Sequence, residues 1–294
     1  MPDPTDLEFA WFKKKILELT GLNLDSYRPQ QMQRILEKEM HRSGCRNYAA
    51  LIRHIRQSPA RIQDFRDAIT INVSSLFRDK KRWDELNTHL ARMARARARD
   101  RSLLPRRRTL RAWSAGCSIG AEPYTLAMLL CELRAAVEPD PLPFKILATD
   151  LDRSMIQRAR EGVYTGRETR EVPPSLLNRY FVSAPQPASP WARNISGERY
   201  FEAVPALREH VEFRLHNLLE DPFDHGFDLI VCRNVIIYFT NEAKERLFLR
   251  FRESLNPGGL LFIGGTEVIF RHERYGIEPV GAGIYARTPD APHA

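Results

Sequence analysis

The sequence predicts an α/β protein: a mostly parallel sheet with helices on both faces, a small all-helical domain before it, and an inserted antiparallel β element. Three observations carry this expectation. Through about the first ninety residues apolar side chains recur at a spacing near 3.6, with no strand-like alternation. From Leu110 onward short apolar runs alternate with helical stretches, the pattern of βαβ units. Between about residues 181 and 214 that rhythm breaks around Pro185, Pro187 and Pro190.

Each element follows from its own residues. Phe9, Phe12, Ile16, Leu17 and Leu19 mark a first helix, and Gly21 stops it. A second starts at about Pro29 and carries Met32, Ile35, Leu36 and Met40 before Gly44. A third spans about 48–57, and Ser58-Pro59 opens a fourth with Ile62, Phe65 and Ile69. Residues 1–88 are thus read as a helical N-terminal domain, 89–108 as an Arg-rich linker ending in Pro105-Arg106-Arg107-Arg108, and 109–294 as the sheet domain. Its strands are expected at 110–114, at 144–149 ending in Asp150, at 227–232 ending in Arg233-Asn234, and at 260–264 after the turn Asn256-Pro257-Gly258-Gly259. Short strands at 199–204 and 211–215 are assigned to the inserted element, placed at about 181–214.

The chain has 294 residues, 43% of them hydrophobic, enough for one large core with appendages or two modest ones. No apolar run approaches the ~18 residues that span a bilayer. The N-terminal stretch lacks the basic-then-apolar pattern of a signal peptide, so a cytoplasmic location is expected. Cys45, Cys117, Cys131 and Cys232 are scattered without ligand spacing, so neither a disulfide framework nor a metal site is expected. The net charge of +8 is local. Between Lys80 and Arg111 twelve basic residues face three acidic ones, leaving 33 against 34 elsewhere. Two readings stay open for that stretch: a solvated helix end, or an electrostatic guide for an acidic partner.

In an open parallel sheet ligands bind beyond the carboxyl ends of the strands. After the first strand come Gly116 and Gly120, which let backbone approach a ligand closely. Neither G-x-G-x-x-G nor a G-x-x-x-x-G-K-[ST] phosphate loop is present, which suits a nucleoside cofactor without a pyrophosphate, S-adenosylmethionine above all. Asp150, at the end of the second strand, is placed to accept hydrogen bonds from ribose hydroxyls. Asp152 is the better cap for the helix that follows.

The run Trp113-Ser114-Ala115-Gly116-Cys117-Ser118-Ile119-Gly120-Ala121-Glu122-Pro123-Tyr124 resembles the W-S-A-x-x-S-x-G-[EQ]-E-P-Y signature of the CheR family, the chemotaxis receptor glutamate O-methyltransferases. Residues 70–78, with Asn72, Ser74 and Arg78, are similar to its T-x-N-x-[TS]-x-F-F-R segment. Cys232-Arg233-Asn234-Val235-Ile236-Ile237-Tyr238-Phe239 is similar to its C-R-N-V-x-I-Y-F run, and Gly265-Thr266-Glu267 and Glu278-Pro279-Val280 stand where the family has its late elements. The resemblance covers about residues 8–287.

The resemblance implies a class I SAM-dependent methyltransferase (Rossmann-like) domain and a cofactor held by Asn72, Ser74, Arg78, Glu122, Asp150, Asn217, Leu218, Arg233 and Asn234. It implies methyl transfer to receptor glutamates, with S-adenosylhomocysteine as product. Arg78 and Tyr238 are the expected catalytic residues, Arg78 fixing a carboxylate of cofactor or substrate and Tyr238 standing beside the sulfonium. Arg34, Lys38 and Arg42 share one face of the second helix and are the expected receptor-docking residues, though Glu37 and Glu39 dilute their charge. The inserted β element stands where some members bind a receptor's C-terminal peptide. A monomer is expected. Ile119, Ala121 and Leu76 depart from the family pattern and are expected to alter packing more than chemistry. A nucleic-acid methyltransferase is the lesser reading, because the D-P-P-Y or N-P-P-Y loop is absent; a cofactor-binding signalling module is another.

Overall fold

In the computed structural model the described residues are 4–69, 74–99, 109–136, 143–192 and 197–289. Four helices, α1 (Pro4–Thr20), α2 (Pro29–Ser43), α3 (Tyr48–Ile55) and α4 (Pro59–Ile69), close the N-terminal core. Phe12 and Ile16 of α1 meet Met32 and Leu36 of α2, Leu51 of α3 and Phe65 of α4 there. Local chemistry sets the helix ends. Asn47 caps α3 by accepting the Ala50 N–H at 2.8 Å, and Gly44 ends α2 in the left-handed conformation.

The next helix, α5 (Lys80–Arg99), belongs elsewhere than the sequence suggests. The expected domain boundary at residue 88 falls inside it. Its stripe Trp83, Leu86, Leu90 and Ala94 is buried in the core of the sheet domain, with Trp83 edge-on to Phe262 at 5.5 Å. Arg97 is no solvated charge either: it forms a bidentate ion pair with the buried Asp228, which also accepts the Arg111 N–H at 2.9 Å. A 3-4-4 apolar spacing makes a helix amphipathic but does not say which core it covers.

The main sheet has the order β6-β2-β1-β7-β8-β10-β9. Its strands are β1 (Leu110–Ala115), β2 (Phe144–Asp150), β6 (Val211–Leu215), β7 (Phe227–Cys232), β8 (Leu255–Ile263), β9 (Ile277–Gly281) and β10 (Ile284–Arg287). The first five run parallel, and β10 is antiparallel to β8 and β9. Helices α6 (Ala121–Ala136), α7 (Arg153–Glu161) and α10 (Asn241–Ser254) are amphipathic partners of this sheet. The chain steps outward from β1 to β2 to β6 and then returns to β7 on the other side of β1. The crevice between the ends of β1 and β7 is therefore the topological switch point.

The inserted sheet is smaller and earlier than expected. It has the order β3-β5-β4, from β3 (Val163–Thr165), β4 (Phe181–Ala184) and β5 (Tyr200–Ala203), with α8 (Pro174–Tyr180) before β4 and α9 (Pro205–Arg208) after β5. Residues 211–215, expected in the insertion, form β6 instead, pairing in parallel with β2 from Ile146↔Val211 to Asp150↔Leu215. A five-residue strand looks alike in either sheet; pairing partners decide between them.

The helical unit meets the sheet domain through a short antiparallel contact. Tyr27 and Phe239 form a bridge with their rings edge to face at 5.5 Å. Beside them the Arg28 N–H donates to the Tyr238 carbonyl at 3.0 Å, and the Thr240 N–H to the Ser26 carbonyl at 2.9 Å.

Candidate functional site

A cavity of about 270 Å³ opens at the switch point, between the ends of β1, β2 and β7 and the inner edge of α2. The loop after β1 forms its floor. Gly116 has φ +83°, and a Cβ there would come within 2.5 Å of Val235 Cγ2; Gly120, at φ +81°, would meet Ala159 Cβ at 2.8 Å. Only glycine lets this loop fold against the β7 exit and α7 while leaving room above it. Ser118, next to the turn, also has positive φ, and its N–H donates to Asp150 Oδ2 at 2.7 Å.

Asp150 stands at the end of β2 with only 8% of its surface exposed. Its other oxygen accepts the Asp152 N–H at 2.9 Å, and desolvation pushes its pKa up to about 6 in spite of those donors. Asp152 caps α7 as expected, accepting the N–H groups of Ser154 and Met155. Glu122, in the first turn of α6, accepts the Ser114 hydroxyl at 2.7 Å. Burial pushes its pKa up to about 7, against the attraction of Arg233. A carboxylate so desolvated, with one neutral donor, is suited to a cationic ligand group.

Arg78 reaches the cavity from the loop before α5. The residues flanking it, Phe77 at φ +56° and Asp79 at φ +60°, both occupy the left-handed region that non-glycine residues avoid. Four bonds hold that loop. Leu76 N–H donates to the Glu168 carbonyl and Phe77 N–H to Thr125 Oγ1, each at 2.9 Å. The Arg78 carbonyl accepts Trp83 Nε1 at 3.0 Å and Arg233 Nη1 at 3.1 Å. Arg233 is 6% exposed, pairs with Asp79 at 2.7 Å and lies over the Trp83 ring. Backbone strain of about 1–3 kcal/mol per residue persists only where the surroundings over-determine it, as they do here.

Asn234 follows at φ +59°, its N–H donating to Glu267 Oε2 at 3.0 Å. Tyr238 closes this wall; burial raises its phenol pKa while the charge of Arg78 opposes the rise. Asn217 anchors the far end: its Oδ1 accepts the Leu219 N–H at 3.0 Å and its own N–H donates to Asp221 at 2.8 Å.

The expected residues Ser74, Arg78, Glu122, Asp150, Asn217, Leu218, Arg233, Asn234 and Tyr238 all line this one cavity. Asn72 lies outside the described residues. Arg34, Lys38 and Arg42 are not in its wall. Arg34 and Lys38 are exposed on α2, whereas Arg42 donates to the buried Glu39 at 2.9 and 2.8 Å, so part of its charge is matched within the helix. Sequence reasoning missed several lining residues. Gln31 and Ile35 of α2, Tyr27 and His216 face the cavity, and none carries a local signal for it. Glu267 was seen only as part of a motif. Its role as acceptor for the Gly264 and Asn234 N–H groups emerges from the fold.

Comparison with known proteins agrees with this geometry. Residues 72–280 match the family model described as CheR methyltransferase, SAM binding domain, and residues 7–70 match CheR methyltransferase, all-alpha domain. The chain is 34% identical to a chemotaxis protein methyltransferase of Listeria monocytogenes, covering 98% of this chain and 100% of the relative. It is 32% identical to chemotaxis protein methyltransferase 2 of Pseudomonas aeruginosa, over 95% and 92% respectively. It is 29% identical to a chemotaxis protein methyltransferase of Salmonella typhimurium, over 90% and 84%. A solved SAM-bound amino pentose methyltransferase from Micromonospora echinaspora overlaps 62% of this chain and 50% of its own at 17% identity and a TM-score of 0.31, too slight a likeness to carry an argument.

Proposed function

This chain belongs to the CheR methyltransferase family and is a SAM-dependent chemotaxis protein methyltransferase, and we propose that it esterifies glutamate side chains on the cytoplasmic helices of chemoreceptors. One observation carries the reading. A single cavity presents two desolvated carboxylates, Glu122 and Asp150, together with Arg78 and Tyr238 at its rim. The carboxylates fit a nucleoside that carries an ammonium and two ribose hydroxyls, and the close-packed Gly116 loop leaves it room.

S-adenosylmethionine supplies an electrophilic methyl group; the chain's own residues do the rest. Glu122 holds the cofactor's ammonium, Asp150 its ribose, and Asn217 the adenine edge through its amide. Ser74, Leu218, Arg233 and Asn234 complete the binding wall, and we assign Asn72 there with them. Arg78 fixes a carboxylate, and Tyr238 places its ring or hydroxyl beside the reacting centre. A glutamate side chain is ionised at neutral pH, so its oxygen takes the methyl without a general base. As the carbon–oxygen bond forms the carbon–sulfur bond breaks, and its electron pair stays on sulfur. Charge is neutralised in that step, which makes alignment and exclusion of water the main contributions, on the order of 7–11 kcal/mol in well-oriented systems. The inner edge of α2, through Gln31, Met32 and Ile35, supplies much of the cover.

Receptor docking is assigned to the exposed Arg34 and Lys38, with Arg42 at the end of their row. The outer strands β3 and β4 of the small sheet each have one unpaired edge among the described residues, a place where a receptor's C-terminal peptide would add as a strand. The protein is taken to act as a cytoplasmic monomer. The test is transfer of labelled methyl from S-adenosylmethionine to a purified receptor cytoplasmic fragment, followed by mild base. Base-labile label mapped to glutamates establishes the acceptor. Tight cofactor binding without transfer to any receptor fragment would replace this reading with a sensor or another acceptor.

A further inference from the structure

The loop between β8 and β9 leaves two large apolar side chains in solvent beside the cavity. Val268 is 60% and Phe270 80% exposed, the highest among the exposed large hydrophobic residues described. Their neighbours are buried anchors. Glu267 accepts the Gly264 N–H at 2.5 Å and the Asn234 N–H at 3.0 Å, and Ile269 donates its N–H to the Tyr285 hydroxyl at 3.1 Å. The in-out-in-out alternation is thus built into the fold. Arg271 follows, exposed and at φ +52°. Anchored backbone that displays adjacent apolar groups marks an interaction surface more than an accident of folding.

Its position says what it meets. The Glu267 bond ties the loop to Asn234 at one end of the β7 exit segment. At the other end the Tyr238 carbonyl accepts the Arg28 N–H from the start of α2. Tyr238 therefore lies between the N-terminus of α2 and this loop. Lys244 stands within the electrostatic reach of both Arg28 and Glu267, so cations flank the same rim. A second copy of the chain would bring like charges to Arg28, Lys244 and Arg271, whereas an acidic helix would complement them.

We propose that Val268 and Phe270 are the apolar half of an acceptor-docking surface, gripping an amphipathic, glutamate-bearing helix that crosses the cavity mouth over Tyr238 while Arg28, Lys244 and Arg271 face its carboxylates. This rests on the acceptor class proposed above. It adds a second contact line to the one assigned to Arg34 and Lys38, so that the helix is held on both sides of the reacting glutamate.

The test is the double variant Val268→Ser, Phe270→Ser, compared with the parent in methyl transfer to a receptor cytoplasmic fragment at varied fragment concentration. S-adenosylmethionine affinity by calorimetry and sedimentation are measured in parallel. Both side chains are exposed, so the fold and cofactor affinity are expected to be unchanged. The expected result is a loss of tenfold or more in kcat/KM for the fragment, largely restored by Phe270 with Val268→Ser alone. A kcat/KM within twofold of the parent overturns the proposal. Loss of self-association without loss of transfer assigns the patch to a second copy and also overturns it. A parent protein that binds the cofactor but methylates no glutamate overturns the acceptor reading and this surface together, and that failure shows in the parent rather than in the variant.

Discussion

Glu122 illustrates a conflict between stability and binding within one side chain. Its pKa is raised by burial from 4.5 to about 7, so the fold prefers it protonated. That preference stabilises the protein fully below pH 4.5 and is lost as pH rises through 7. Glu122→Gln mimics the protonated state and is expected to stabilise the free protein above pH 7, by about 3 kcal/mol at most, in denaturant titrations. The same change removes the anion that meets a cationic ligand group. Cofactor affinity in the parent should fall about tenfold per pH unit below 7 and stay flat over that range in the variant, apart from the contribution of Asp150 near pH 6. Equal pH profiles in the two proteins would remove Glu122 from the ammonium role. Arg78 makes the complementary case, a charged side chain aimed by strained neighbours. Arg78→Ala should abolish methyl transfer while far-UV circular dichroism and thermal unfolding stay close to the parent; full activity would sink its assigned role.

At the scale of elements, α2 serves two surfaces. Gln31 and Ile35 face the cavity, while Arg34 and Lys38 face solvent a step around the helix. Arg42 belongs to neither in full, because Glu39 is buried and depends on it. Removing Arg34 or Lys38 should leave stability within about 0.5 kcal/mol, as for most surface changes, and weaken receptor binding more at low salt than at high. Arg42→Ala should instead cost about 1–3 kcal/mol in chemical denaturation by leaving a buried carboxylate without its cation. A salt-independent receptor affinity would exclude the Arg34–Lys38 face from docking. The helix α5 makes a similar division: Arg97 locks onto Asp228 inside the sheet domain, whereas Arg92 and Arg95 are exposed.

For the whole molecule, the cavity exists only because two units meet. The sheet provides Glu122, Asp150 and Arg233, the loop before α5 provides Arg78, and α2 closes the opposite side. The bridge between residues 26–28 and 238–240 joins them through two backbone hydrogen bonds. A ligand that contacts both sides stabilises the closed arrangement by mass action. Saturating S-adenosylmethionine should therefore slow hydrogen exchange at the Arg28 and Thr240 amides, read by mass spectrometry of peptides covering 24–32 and 236–244. Unchanged exchange in both peptides would mean that the cofactor does not bridge the units.

What the sequence by itself determined is local. Helix periods, the N-cap at Asp152, the glycine turn after β1 and the polar residues at strand ends all follow from side-chain spacing, turn chemistry and the rule that ligands sit beyond parallel strands. The motif segments around Arg78, Glu122 and Arg233 were legible because each is contiguous and carries its chemistry within a few residues. Tertiary structure decided everything that depends on a distant partner. It moved residues 211–215 from the insertion to the edge of the main sheet, because strand pairing is a relation between segments and not a property of one. It gave α5 to the sheet domain, because an apolar stripe does not name the core it will cover. It made Glu267 the clamp of the Asn234 turn and brought Tyr27 and Ile35 to the cavity, since burial, desolvation and hydrogen bonds across the fold arise only when segments far apart in the chain are packed together.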